Sequence, residues 1–232
     1  MSLSIVMPVY NEEEVIAETV KAYYSEIISK IENSEFIVID DCSDDNTYNI
    51  LKELKLRFSK LKVLRAPVNS GHGKAIRKGY NFASKKHIFQ VDSDNQFNAN
   101  DFWKLYALKD RYDLILGFRK KRHDPIVRLL LTRIIRVFNF IVFRVWIKDA
   151  NCPFRLIKKD VLDKILSLID EEALAPNIMI TVIAKKKKIK MAEVPITHQK
   201  RETGTCSIAK WKLIKFAFKG FMQLLGIKNS ID

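Results

Sequence analysis

The sequence has few of the residues that punctuate or cross-link unusual chains: 7 Gly, 6 Pro and 3 Cys in 232 residues. With 47% hydrophobic residues, this scarcity excludes fibrous repeats and extended disorder. The cysteines, Cys42, Cys152 and Cys206, are odd in number and include no CxxC pair. That excludes a disulfide framework and a cysteine zinc site, and points to a reducing, cytoplasmic setting. No stretch of 18 or more residues is both apolar and free of charge, so no bilayer span is predicted. The opening MSLSIVMPVYNEEE has neither a basic start nor a long apolar run, and a cleaved signal peptide is not expected. The length suits one domain with a sizeable core, with or without an appendage.

Acidic residues are also in short supply. Lys and Arg number 41 against 27 Asp and Glu, a formal +14, which points to a polyanionic partner. The excess is local. Residues 117–147 hold eight basic residues against Asp124 alone, and residues 184–220 hold eleven against Glu193 and Glu202. The remainder of the chain is slightly acidic. Both basic segments are rich in aliphatic and aromatic residues, IVRLLLTRIIRVFNFIVFRVWI at 126–147 and IAKWKLIKFAFKGFMQLLGI at 208–227. At helical spacing Lys212, Lys215 and Lys219 share one face, and Trp211, Ile214, Phe218, Phe221 and Leu225 another. Such segments suit a membrane headgroup region, where basic stems snorkel; the alternative is core-facing helices with a basic solvent face. Nucleic-acid surfaces are more polar than this, so an anionic membrane surface is the expected partner and nucleic acid is not.

Along the chain, β-branched runs alternate with helical spacing. Strands are predicted at Leu3–Val9, Phe36–Ile39, Leu61–Arg65, His87–Val91 and Leu114–Gly117, and helices at Glu12–Ile31, Thr47–Phe58 and Lys74–Ser84. This alternation predicts an α/β fold, a Rossmann-like, mostly parallel sheet flanked by helices. Polar clusters follow the strands at Asn11-Glu12, Asp40-Asp41, Asn69–Lys74 and Asp92–Gln96. In open α/β sheets ligands bind beyond the carboxyl ends of the strands, so the four clusters predict one site.

Asp92-Ser93-Asp94 is the sharpest of these signals. Two carboxylates one residue apart can both reach a hard divalent cation, with Gln96 adding an amide oxygen. Such a cation would screen the charge on a departing diphosphate. Asp40 and Asp41 suit base or ribose donors, or equally a solvated turn or helix cap. The Gly71-His72-Gly73 loop lacks the Walker and GxGxxG spacings, and His72 reads as a loop residue rather than a general base.

Met7–Glu12, Ile39–Thr47, Asn69–Ala75 and Asp92–Gln96 resemble, in order and spacing, the motifs of family 2 glycosyltransferases. Gly117-Phe118-Arg119, Asp149–Leu156 and Arg201–Ser207 are similar to the polyprenyl-phosphate sugar transferases among them, above all the dolichyl-phosphate mannose synthase group. The resemblance implies a GT-A fold, a nucleotide-sugar donor (GDP-mannose), a polyprenyl or dolichyl phosphate acceptor, and Mg²⁺ or Mn²⁺. It carries metal binding to Asp92, Asp94 and Gln96. It carries nucleotide binding to Pro8, Tyr10, Glu12, Asp40 and Asp41, with Gly71, Lys74, Asp92 and Ser93 completing that set. Arg119 and Arg201 are expected to face phosphates, with Arg128, Arg133 and Ser207 as further acceptor-phosphate candidates. Asp149 is expected to orient an Arg or assist the acceptor, or else to be an ordinary loop acid.

The chain departs from the pattern in places: Asn95 replaces the usual Leu, the Pro beyond Gln96 is missing, Cys152-Pro153 replaces Ser-Gly, and Thr205-Cys206-Ser207 replaces Glu-Ser-Lys. These changes bear chiefly on the donor sugar. The resulting expectation is inverting hexosyl transfer, with Asp94, Arg119, Arg201 and Asp149 carrying the chemistry. The enzyme would be peripheral on the cytoplasmic face of a membrane, and a separate membrane-anchoring subunit is compatible with this. The expected division is a catalytic domain at 1–207, including an interfacial helix at about 126–147, and a membrane-contact helix at 208–232. The competing readings are transfer to a glycan hydroxyl, transfer of glucose or another sugar from a UDP donor, and a non-catalytic basic membrane- or nucleic-acid-binding protein.

Overall fold

The computed structural model describes the backbone of residues 2–120, 126–199 and 219–228, and their side chains except those of 126–131. Arg201 and Ser207 lie outside the described residues, as do the Arg128 side chain and residues 208–218.

Strands β1 (Ser2–Val9), β2 (Asn33–Asp40), β3 (Leu61–Arg65), β4 (His87–Gln90), β5 (Leu114–Arg119), β6 (Arg155–Lys158) and β7 (Met191–Ile196) form one sheet in the order β3-β2-β1-β4-β6-β5-β7. All neighbours pair in parallel except β6, which runs antiparallel to both β4 and β5. The first five strands fall where the β-branched runs predict them. Strands β6 and β7 do not stand out in the sequence. The first has four residues, and the second is an edge strand that tolerates Pro195 because one side needs no ladder donor.

The helices are α1 (Ile16–Glu26), α2 (Thr47–Arg57), α3 (His72–Phe82), α4 (Phe102–Tyr106), α5 (Ile126–Phe143), α6 (Lys159–Leu166) and α7 (Pro176–Lys186). Side chains alternate across the sheet as the strand period requires. Phe89 meets Tyr23 of α1 and Phe102 of α4, whereas Gln90 meets Tyr80 of α3 on the other face. Helix α3 lies so close to the sheet that a Cβ on Gly79 would come within 2.5 Å of both Val6 and Ile39. Fully buried Ile5, Val6, Phe36, Ile37, Val38, Ile39, Ile88 and Phe89 make the centre of the core.

Two helices are shorter than the periodicity predicts. The first begins at Ile16 rather than Glu12; residues 11–13 instead form a loop that gives its backbone N–H groups to Ser43 Oγ, Thr47 Oγ1 and Asp45 Oδ2 at 3.0, 2.9 and 3.1 Å. It ends at Glu26, and a separate 3₁₀ turn spans Ile28–Lys30. Helix α5 stops at Phe143 rather than near residue 147, because Arg144 adopts φ 58°. The described part of the C-terminal segment is helical at 219–226. Its Leu224 and Ile227 are buried, and Phe221 packs edge-on against Phe138 of α5 at 4.7 Å. No helix among the described residues is long and apolar enough to cross a membrane.

Glu35 anchors the opposite end of the sheet. Its carboxylate accepts from Ser4 Oγ (2.6 Å), Ser84 N (2.8 Å) and Ser84 Oγ (2.9 Å) and pairs with Lys62 at 2.6 Å. Burial works to raise its pKa, but Lys62 and the serine donors outweigh it and bring the group from 4.5 to about 2. A carboxylate with a depressed native pKa stabilises the fold above its unfolded value and loses that contribution as protons bind. Stability is therefore expected to fall by on the order of 3 kcal/mol from this group between pH 4.5 and 2. Urea titrations at several pH values should show a flatter acid limb for Glu35→Gln; identical limbs would contradict the assignment.

Candidate active site

The site is built where β1, β2, β4, β5 and β7 end on one rim. Asn11, Cys42 and Asn95, in the loops after β1, β2 and β4, all adopt left-handed backbone conformations, with φ of 53°, 63° and 56°. Non-glycine residues take that conformation at a steric cost, least for Asn, and such residues gather at functional sites. Asn95, a departure from the sequence motif, thus fits the bend its position requires.

Strand β1 delivers Pro8, Tyr10 and Glu12. Pro8 is buried beyond the end of β1–β4 pairing, which stops at Val6, so it has a ladder partner only in β2. Tyr10 Oη donates to Asp44 Oδ2 at 3.0 Å, and Asp44 N donates to Asn11 Oδ1 at 2.9 Å. These bonds lace the β1 and β2 loops together.

The two carboxylates ending β2 have different environments. Asp40 is fully buried, with Oδ1 accepting from Ser43 N at 3.2 Å and Oδ2 3.2 Å from Arg65 Nε. Asp41 holds the following glycine loop: Oδ1 accepts from Ser70 N (3.0 Å) and Ser70 Oγ (2.8 Å), and Oδ2 from Gly71 N (2.7 Å). Gly71, at φ 89°, lets the chain turn from that anchor into α3. In the second residue of α3, Gly73, a Cβ would stand 2.3 Å from Ala173 O. Lys74 is paired with Glu172 at 2.6 Å.

Past β4, Asp92, Ser93, Asp94 and Gln96 follow in a tight loop. Asp92 Oδ1 is buried and has no hydrogen-bond donor; His72 Nε2 lies 3.7 Å from it. Ser93 is buried, and its carbonyl accepts from Thr19 Oγ1 at 3.3 Å. Gln96 N donates to Asp94 Oδ1 at 3.3 Å. No group of three or more His, Cys, Asp or Glu able to hold a metal occurs among the described residues. A closely spaced carboxylate pair with an orphaned buried oxygen nevertheless fits a hard cation such as Mg²⁺, which usually takes one or two carboxylates and fills its shell with phosphate oxygens and water.

The loop is zipped to the segment after β7. Gln199 N donates to Gln96 O at 2.8 Å, Gln96 Nε2 to Gln199 O at 3.1 Å, and Phe97 bridges His198 antiparallel. His198, 5% exposed with its ring 5.3 Å from that of Phe97, therefore belongs to this rim. It is absent from the sequence-derived set because it follows β7, a strand that the sequence does not announce.

Arg119 ends β5. Its Nε and Nη2 donate to Asp149 Oδ2 and Oδ1 at 2.7 and 3.0 Å, a two-pronged pair between side chains only 10% and 4% exposed. A planar guanidinium held this way is aimed rather than merely charged. Arg133, by contrast, lies exposed on α5.

The model of the glycosyl transferase family 2 matches residues 4–166. The chain belongs to the family 2 glycosyltransferases. It is 26% identical over 221 residues, 93% of its length, to the undecaprenyl-phosphate 4-deoxy-4-formamido-L-arabinose transferase of Edwardsiella ictaluri, and it spans 66% of that protein. Among solved structures, glucosyl-3-phosphoglycerate synthase from Mycobacterium tuberculosis superposes with a TM-score of 0.72 at 17% identity, covering 98% of this chain and 80% of that one. Residues 1–349 of S. aureus TarS give 0.65 at 21% identity, covering 98% and 65%. These likenesses establish the GT-A fold for this family 2 glycosyltransferase.

The close seat of Gly73 can be tested directly. Gly73→Ala should displace the 173–176 loop and cost about 1–3 kcal/mol, as overpacking does. Urea denaturation would measure the loss, and unchanged stability would place that loop elsewhere.

Proposed function

We propose that the enzyme transfers a hexosyl group, with inversion, from a nucleotide-sugar to a polyprenyl monophosphate at a membrane surface. The observation that carries this reading is the buried Arg119–Asp149 pair on the rim shared with Asp92 and Asp94. A lipid monophosphate, with a second pKa of about 6, is mostly dianionic at neutral pH. Its oxygen attacks the anomeric carbon directly as the nucleoside diphosphate departs from the opposite face, and no protein base is needed. The chain's work is then positioning and charge. Arg119 meets the acceptor phosphate, with Arg133, Arg128, Arg201 and Ser207 as further contacts.

Transfer to a glycan hydroxyl would need a general base within reach of that hydroxyl. Asp149 is badly placed for that role because both of its oxygens are engaged by Arg119. Pro8, Tyr10, Glu12, Asp40, Asp41, Gly71, Lys74 and Ser93 form the proposed nucleotide side. Within it Asp40 and Asp41 act by shaping the loops, and Lys74 through its pairing with Glu172. Asp92, Asp94 and Gln96 would hold Mg²⁺ or Mn²⁺. When bound, the cation stabilises charge on the leaving diphosphate.

The curated relative's name, an undecaprenyl-phosphate sugar transferase, supports the acceptor class. GDP-mannose is the donor carried over from the motifs. A uridine nucleotide is the second reading, favoured by the mycobacterial synthase, whose structures contain Mn²⁺ with UDP or UDP-glucose. A panel of nucleotide-sugars against short polyprenyl phosphates and free glycans tests both halves. Product is expected only with polyprenyl phosphate, and Asp94→Ala should reduce it by at least about 100-fold. Extension of a glycan with no lipid product, or full activity in Asp94→Ala, would overturn the reading.

Membrane attachment is part of the proposal. Ile134, Val137 and Ile141 form a helical stripe on α5 and are 44%, 51% and 63% exposed. Phe140, Trp146, Met222 and Leu225 are exposed as well. An apolar outer stripe beside basic residues suits a peripheral membrane helix rather than a solvent-facing one. The cytoplasmic face is the proposed side, consistent with the free thiols of Cys42 and Cys152. The full chain should co-sediment with anionic liposomes at low salt, release as salt rises, and bind more weakly as Val137→Asp/Ile141→Asp. A chain wholly in the supernatant at low salt would refute attachment.

A further inference from the structure

Among the described residues the bulkiest fully buried side chain is Arg155, the first residue of β6, at 0% exposure. Its donors all meet neutral acceptors. Nε and Nη2 donate to Cys152 O at 3.0 and 2.6 Å, Nη2 also to Ala150 O at 3.2 Å, and Nη1 to Asn177 O at 2.9 Å and Thr181 Oγ1 at 3.2 Å. Thr181 Oγ1 in turn donates to Ala150 O and Asn177 O at 3.0 and 2.8 Å. No described carboxylate forms a salt bridge with Arg155. A buried guanidinium without a carboxylate is costly, and neutral side chains could satisfy the same carbonyls at lower cost.

Its location suggests what offsets that cost. The two carbonyls it grips, Ala150 and Cys152, belong to the turn that starts at Asp149, closed by Cys152 N donating to Asp149 O at 3.1 Å. The other prong fastens that turn to the first turns of α7. The Asp149 side chain leaves the same turn toward Arg119. Burial draws the Arg155 pKa down, and the nearby Tyr80, Cys152, Asp149 and Asp92 oppose this.

We propose that Arg155 is a positioning residue for the transfer reaction: it fixes the 149–152 turn so that Asp149 aligns the Arg119 guanidinium. The effect on catalysis depends on the reading that Arg119 meets the acceptor phosphate; the effect on the Arg119–Asp149 pair does not. Lysine at 155 keeps the charge but cannot bridge both prongs, so the turn loosens and Arg119 loses its aim.

The test is a double-mutant cycle of Arg155→Lys and Asp149→Asn, read in two ways. In ¹⁵N-edited NMR spectra of the full chain, the Nε–H signal of Arg119 reports its bond to Asp149. It should move in Arg155→Lys in the same direction as in Asp149→Asn. In transfer assays, Arg155→Lys should raise the acceptor KM about tenfold while the donor KM stays within about twofold, and the double variant should be no worse than Asp149→Asn alone.

A solely structural role predicts a lower melting temperature, an unmoved Arg119 signal and additive effects, and that result would overturn the proposal. If no lipid product forms with any variant, the functional reading fails while the NMR comparison still decides the positioning claim. Should Arg155→Lys not fold, Thr181→Val removes one anchor while keeping the charge, and a smaller shift in the same direction is expected. An unmoved signal there would also overturn the proposal.

Discussion

The insertion of β6 between β4 and β5, antiparallel to both, fixes which side chains share the carboxyl rim. Two reversals restore the direction of β5 to that of β4, so Arg119 emerges on the same side as Asp92 and Asp94. The chain entering β6 must descend from that rim, and so the 149–152 turn comes to lie beside Arg119. Strands β1, β2 and β4 lead into the loops proposed for the nucleotide and metal, β5 contributes the guanidinium, and the turn before the reversed strand contributes its aiming carboxylate. A purely parallel continuation would bring the segment preceding β6 to the opposite end of the sheet.

The rim is held by bonds between loops rather than within them. Asp41 collects the 70–71 backbone, Ser43 and Thr47 cap the start of the 11–13 turn, and Gln96 and Gln199 pair across the outer edge. Left-handed conformations at Asn11, Cys42 and Asn95 are sustained because these cross-loop bonds over-determine them. Preorganisation of this kind suits a reaction whose requirements are placement and charge. The apolar outer stripe of α5, packed through Phe138 onto the C-terminal helical residues, brings the surface proposed for the membrane into contact with the same fold.

Much of the scaffold was legible in the chain. Strands β1 to β5 follow from β-branched runs ended by polar clusters, because buried parallel strands must be apolar on both faces. Strands β6 and β7 were not legible, being only weakly patterned, with Lys158, Glu193 and Pro195 interrupting their apolar residues, and with them went His198 and the role of Arg155. The start of α1 was misjudged by a turn, where residues 11–13 are laced to Ser43, Thr47 and Asp45 of another loop. No periodicity encodes a partner more than 30 residues away.

What the sequence by itself determined was the α/β alternation, the strand-end clustering of carboxylates and the concentration of basic charge on two apolar segments. These are local properties of spacing and composition. Only the tertiary structure decided that Asp40 is sealed with Arg65 while Asp41 clasps the glycine loop, since adjacent residues at a strand end point to different environments and burial selects between them. It likewise decided that Asp149 grips Arg119, 30 residues away, and that Gln96 meets Gln199, 103 residues away. Those pairings come from strand order and strand direction, which the packing of the whole sheet sets.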